Sequence, residues 1–155
     1  MDNSTMSLCQ NLGSVGMLAT AAIGSCLGIS AAGLSAVGAW KKCYMNNKQV
    51  PFLLVAFVGA PASQTIYAMI LNNTMIPAFT QNPHAWIFGF VAGPILGLSA
   101  YIQGRIGAAA ADAIVEGNGQ GGPNYLIALG VIETIALFGM VFSMIALGAL
   151  GKPVA

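Results

Sequence analysis

Residues 130–150 read GVIETIALFGMVFSMIALGAL, an apolar run broken by a single charge, Glu133. Its length exceeds the roughly 17 residues that begin to cover a hydrocarbon core, so the run predicts a membrane-spanning helix. A carboxylate at the centre of such a helix costs about 2.5 to 3.5 kcal/mol on insertion scales, and no basic residue lies near it in sequence to neutralise it. Glu133 is therefore the first candidate for function.

The rest of the chain belongs to the same solvent. Hydrophobic residues make up 57% and charged residues 6% of the 155, against about 25% charged in soluble domains, and the mean hydropathy is +0.79. Apolar windows predict spans over Leu12 to Trp40, Pro51 to Leu71, His84 to Ile114 and Asn124 to Leu150. Continuous apolar stretches without alternation are helices rather than barrel strands. The fold class is all-α, four transmembrane helices with no soluble domain. Between spans two and three, NNTMIPAFTQNP reads as an uncharged loop.

Lysines orient the bundle. Lys41, Lys42 and Lys48 cluster in the first connector, and lysine excess marks the cytoplasmic side. Loops 41–50 and 117–123 are then cytoplasmic, with both termini and the central loop outside; Lys152 outside is a small exception. The N-terminus lacks the basic region of a secretory signal, which predicts retention of the first span. Trp40 and Trp86 fall at opposite edges as interfacial anchors, and His84 reads as an interfacial residue. On this topology Cys9, Cys26 and Cys43 share no compartment, so no disulfide is expected. No His/Cys cluster or nucleophilic constellation is present, and the glycine-rich turn after Glu116 lacks the lysine of a phosphate loop.

The chain reads as two helical hairpins, residues 1–76 and 77–155, within one membrane domain. Gln64-Thr65-Ile66 recurs as Glu133-Thr134-Ile135, and Ser25, Gly33 and Ala36 align at constant offset with Ser99, Gly107 and Ala110. That alignment sets Gln64 of the first copy against Glu133 of the second, leaving one ionisable site per pair of hairpins. Gly24 and Gly28 on helix one, and Gly89, Gly93 and Gly97 on helix three, make small-residue faces that bring helix backbones together. So much of this surface on both odd helices favours an inner ring in an oligomer over packing within one chain.

Counted from the cytoplasmic ends, Gln64 lies thirteen residues from Pro51, Gln103 thirteen from Glu116 and Glu133 nine from Asn124. Two amides and a carboxylate at similar depth present oxygen acceptors that lipid cannot satisfy, and a small hard cation can. Pro61 releases the carbonyl one turn before it, Ser63 adds a hydroxyl, and Tyr67 lies within a turn as a donor to the carboxylate. Asp112 and Glu116 are like charges one turn apart and read as a solvated rim. Arg105 points to another face than Gln103, toward a ring interior or snorkelling to the interface.

These residues carry a resemblance. Pro61-Ala62-Ser63-Gln64-Thr65-Ile66-Tyr67, Gln103-Gly104-Arg105 and Val131-Ile132-Glu133-Thr134, in order on spans two, three and four, resemble the proteolipid subunit of vacuolar-type rotary ATPases, closest to the bacterial sodium-pumping branch. The likeness covers essentially the whole chain. It implies a rotor ring of identical subunits, non-catalytic in itself and binding no nucleotide, that carries Na+ (or, in proton-coupled relatives, H+) past a stator subunit with an essential arginine. It further implies an ion held by Glu133, Gln64, Ser63, Gln103 and the Ala60 carbonyl, supported by Tyr67, Pro61 and Thr134. The cytoplasmic loops would meet the central stalk, lipid would surround the ring, nucleic acid would play no part, and the membrane would be a bacterial plasma membrane. Position 60 departs from the family, which has Leu there. Of the rival readings, a small multidrug exporter would carry its glutamate early in a shorter chain. A four-helix scaffold would have no need of Glu133, Gln64 and Gln103 at one depth.

Overall fold

A computed structural model describes residues 2–150, which places Lys152 outside the described residues. Helix α1 spans Asn3–Met45, α2 Leu53–Gly59, α3 Ser63–Gln81, α4 Ile87–Glu116 and α5 Gly122–Ala149, with short 3-10 segments at Ala60–Ala62 and Pro83–Trp86. Helices α2 and α3 together form one span, Leu53–Gln81, so among the described residues four helical spans are long and apolar enough to cross a membrane. The protein is an integral, multi-pass, all-α membrane protein.

The spans run beyond the apolar windows. α1 begins nine residues before Leu12 and continues past Trp40 through the lysines, so Lys41, Lys42 and Cys43 are helical and the first connector shrinks to Asn46–Phe52. Cys43 is buried against Leu54 and Phe57 rather than lying in a loop, and all three cysteines are free thiols on α1. Asn72–Gln81 is also helix, not loop, and the hairpins divide at Asn82. Packing and local bonds carry the helix across these polar residues: Met75 and Ala78 are buried in the core, Asn72 accepts from Ser14 of α1, and the Thr80 hydroxyl bonds the Pro77 carbonyl at 2.8 Å. Proline removes only one ladder bond, which such contacts outweigh.

The longest contact in the molecule is α1 along α4. A methyl group at Gly24 would stand 2.0 Å from the Gly97 carbonyl oxygen, one at Gly89 2.0 Å from that of Gly13, and one at Gly28 2.3 Å from that of Ala100. Gly93 lies equally close to Thr20. The two backbones touch because side chains are missing at these positions. The expectation that these glycine faces serve contacts between copies is corrected here: Gly24, Gly28, Gly89, Gly93 and Gly97 are all taken up within one chain.

α3 lies across α1 and α4, and α5 rests on α4 and α3. Between α4 and α5 the chain reverses in five residues, with Asn118, Gly119 and Gly121 at positive φ. Lys48 donates to Asn118 Oδ1 at 2.6 Å and Lys42 pairs with Glu116 at 3.4 Å, so the two connectors at this end are tied together. Asp112 accepts from Ser35 at 2.7 Å, which separates it from Glu116. Trp40 and Trp86 stand near opposite ends, and Trp86 stacks edge-on against Phe90.

Candidate functional site

The site begins with a break in a helix. Pro61 has no N–H to give to the Phe57 carbonyl, and the ladder tightens to a 3-10 turn over Ala60–Ala62 before α3 resumes at Ser63. The Phe57 oxygen lies against Gly107 of α4, where the absence of a side chain admits it. Beyond the turn, Ser63 Oγ lies 2.9 Å from the Ala60 carbonyl and 3.2 Å from Gln64 Oε1. The hydroxyl has one hydrogen for two acceptors, so three oxygens crowd together on one flank.

Gln64 and Gln103 are fully buried between the hairpins. Gln64 Nε2 donates to Gln103 Oε1 at 2.8 Å. Gln103 Nε2 in turn donates to the Leu129 carbonyl at 3.1 Å and to Glu133 Oε2 at 3.4 Å. The Tyr67 hydroxyl donates to the other carboxylate oxygen, Oε1, at 2.7 Å. Glu133 itself is half-buried, held by an amide on one side and a phenol on the other. Ser99, one turn from Gln103 on α4, donates to the Ile132 carbonyl at 3.1 Å. With the Gln103–Leu129 bond, this fixes the rotation of α5 that turns Glu133 inward.

Residues from three spans thus meet at one level: Ala60, Ser63, Gln64 and Tyr67 from the second, Gln103 from the third and Glu133 from the fourth. Two details differ from the reading of the sequence. Gln103 turns its Nε2, not its oxygen, to Glu133, because the Leu129 carbonyl and the carboxylate are both acceptors and the amide group satisfies both at once. Thr134, expected to support the site, is exposed and bonds back to the Val131 carbonyl at 2.7 Å. Sequence reasoning missed Ser99 as a positioning residue, although its place one turn before Gln103 on the same face was visible. Arg105 is exposed, with its guanidinium carbon 5.9 Å from the centre of the Tyr101 ring.

Among the described residues, no group of three or more His, Cys, Asp or Glu side chains gathers as a metal cluster. The chemistry of the site is that of one carboxylate with neutral oxygen and N–H partners. Residues 88–146 match the family model of the C subunit of ATP synthase. The match spans most of the second hairpin and includes both Gln103 and Glu133. No curated protein matches the chain.

Proposed function

We propose that the chain is the ion-carrying subunit of a rotor ring in a vacuolar-type ATPase, with Na+ as its cargo at Glu133. The observation that carries this reading is a lone carboxylate, inside a membrane span, met by Tyr67 and Gln103 and flanked by the oxygens of Ala60, Ser63 and Gln64. Hard neutral oxygens beside one negative charge suit a small monovalent cation. Gln103 Oε1 would join them as a ligand while still accepting from Gln64, since an amide oxygen has two lone pairs. Alone, the chain catalyses nothing. Identical copies would form the ring, a stator subunit would offer an arginine to each Glu133 in turn, and the lysine-bearing connectors would face the central stalk in the cytoplasm of a bacterium. A bare carboxylate facing lipid is prohibitively costly, so a site would turn through lipid only when occupied.

A proton-coupled rotor is the second reading. A protonated Glu133 is neutral and still accepts from the Tyr67 hydroxyl at Oε1, so the carboxyl would cross lipid without a cation.

Labelling by a hydrophobic carbodiimide, which attacks a protonated accessible carboxyl, tests both. Under the sodium reading, labelling at Glu133 is slowed by Na+ and not by K+ at equal ionic strength, with the protection weakening as pH falls. Labelling indifferent to Na+ supports proton coupling. Absence of labelling at Glu133 over the whole pH range refutes the carrier role.

A further inference from the structure

The turn that carries the oxygens of the second span is held from two sides, each time at a glycine. The ring of Pro61 packs beside Gly28 of α1, where a methyl group would stand 3.0 Å from the proline Cβ. On the other side the Phe57 carbonyl, which Pro61 deprives of its helical N–H, lies against the buried Gly107 of α4. A methyl group at Gly107 would stand 2.8 Å from that oxygen and 3.5 Å from its carbon.

Gly107 follows Gln103 by four residues, one turn along the same face of α4. That face therefore meets the second span twice. Gln103 accepts from Gln64 at 2.8 Å, and Gly107 receives the carbonyl of Phe57, seven residues before Gln64. Between the two contacts lie Ala60 and Ser63, whose carbonyl and hydroxyl flank the site. The amide contact alone would let the start of this segment swing, because the long Gln64 side chain can follow Gln103 through a shift of its own backbone. The backbone contact at Gly107 removes that freedom.

The closeness of the contact shows what depends on it. A carbon at 2.8 Å from the Phe57 oxygen is inside the ~3.3 Å at which carbon and oxygen ordinarily meet, so a methyl at Gly107 would force one backbone to move by about 0.5 Å. α4 is held in place: Gly104, on its next turn, lies so close to α1 that a methyl there would stand 2.1 Å from the Gly28 oxygen. Residues 57–63 would move instead, carrying the Ala60 carbonyl and the Ser63 hydroxyl away from Gln103 and Glu133. Ligand groups act together only when placed to within about 0.5 Å, so a displacement of that size loosens the site.

We propose that Gly107 is a positioning residue for the cargo ion: by admitting the Phe57 carbonyl, it lets Ala60, Ser63 and Gln64 stand close enough to Gln103 and Glu133 to share one cation with them. The inference deepens the sodium reading and rests on it. The proline then acts twice, freeing a carbonyl and, through Gly107, fixing where the turn stands.

The test is the Na+ concentration that half-protects Glu133 from carbodiimide, measured beside the unfolding midpoint of each variant in detergent. In Gly107→Ala that concentration is expected to rise about 10–100-fold, the range for groups that hold ligands in place. Pro61→Ala restores an N–H that draws the Phe57 carbonyl back into the helix; adding Gly107→Ala to that background is expected to shift half-protection less than about threefold, a coupling that independent sites do not show. Gly89→Ala is the control for strain alone. Its methyl would stand 2.0 Å from the Gly13 oxygen, far along α4 from Gln103, and it is expected to lower the midpoint without moving half-protection. Half-protection of Gly107→Ala at the native Na+ concentration overturns the inference and leaves the sodium reading standing, as does an equal shift in Gly89→Ala or an undiminished one in the Pro61→Ala background. Should Gly107→Ala not fold, Pro61→Ala and the double variant decide alone: half-protection at like Na+ concentrations upholds the inference, and any other pair of results overturns it. A native chain that Na+ does not protect overturns both readings.

Discussion

Replacing Gln103 by Leu removes a side chain of similar size whose amide oxygen accepts from the buried Gln64 Nε2. An orphaned buried donor costs about 1–3 kcal/mol. The Leu129 carbonyl keeps its helical bond, and the 3.4 Å contact to Glu133 is long for a hydrogen bond, so both losses are small beside that one. At roughly 2–4 °C per kcal/mol for a chain of this length, Gln103→Leu is expected to lower the unfolding midpoint in detergent by ~2–12 °C. Gln64→Leu leaves Gln103 Oε1 unpaired and costs a similar amount. The double variant replaces both partners by apolar groups and is expected to recover much of the loss, since removing a pair together is nearly neutral. Ion binding should follow the opposite logic: the double variant, restored in stability, still lacks two ligand oxygens and still fails to protect Glu133 from carbodiimide in Na+. A double variant whose loss equals the sum of the single losses would refute the pairing of the two amides. Full sodium protection in that variant would refute their role as ligands.

Glu133→Gln is expected to abolish carbodiimide labelling and ion transport while leaving the oligomer mass unchanged, since the amide can still accept from Tyr67; a transporting variant would sink the carrier assignment. Gly24→Ala forces a methyl to 2.0 Å from the Gly97 oxygen, whereas Gly38→Ala meets nothing within 4 Å; detergent unfolding should show the first clearly destabilised and the second unchanged or slightly stabilised. Glu116→Gln breaks an exposed ion pair with Lys42 and should change stability by less than about 1 kcal/mol in the same assay. Hydroxyl bonds from Ser4 and Thr5 hold the Asp2 carboxyl below its ordinary value near 3.8. Its contribution to the start of α1 is thus present above that value and lost as pH falls through the lowered one, so amide exchange in the first turn should quicken at acid pH in the native chain and not in Asp2→Asn.

The number and class of the helices were legible because a continuous apolar run has few alternatives in lipid. Their ends were not. Asn72, Asn73 and Pro77 look like a connector in sequence, and only the contacts of Asn72 with Ser14 and of Met75 with the core show why the helix continues. At the site, residue types and depths identified Gln64, Gln103 and Glu133 as neighbours. Which atom of Gln103 faces Glu133 depends on the Leu129 carbonyl, a backbone group that no side-chain pattern reveals. Thr134 stands one residue along the helix, a rotation of about 100°, which carries it off the face of Glu133.

The repeat is also a poor guide to which residues meet. Gln-Thr-Ile and Glu-Thr-Ile suggest that a polar residue at one position was kept in kind and altered in charge. In space Gln64 belongs to the ridge that enters a site, and Glu133 to the groove that receives it. The polar side chains meet between the hairpins, Gln64 and Tyr67 of α3 against Gln103 of α4 and Glu133 of α5, where folding guarantees the match. The face of α5 that carries Ile135, Phe138 and Phe142 is exposed and apolar. An amide or carboxylate on that face would stand in lipid without a partner. Keeping the one carboxylate of these spans' centres between the hairpins, bonded by Tyr67, thus spares the free chain an unmet charge in lipid.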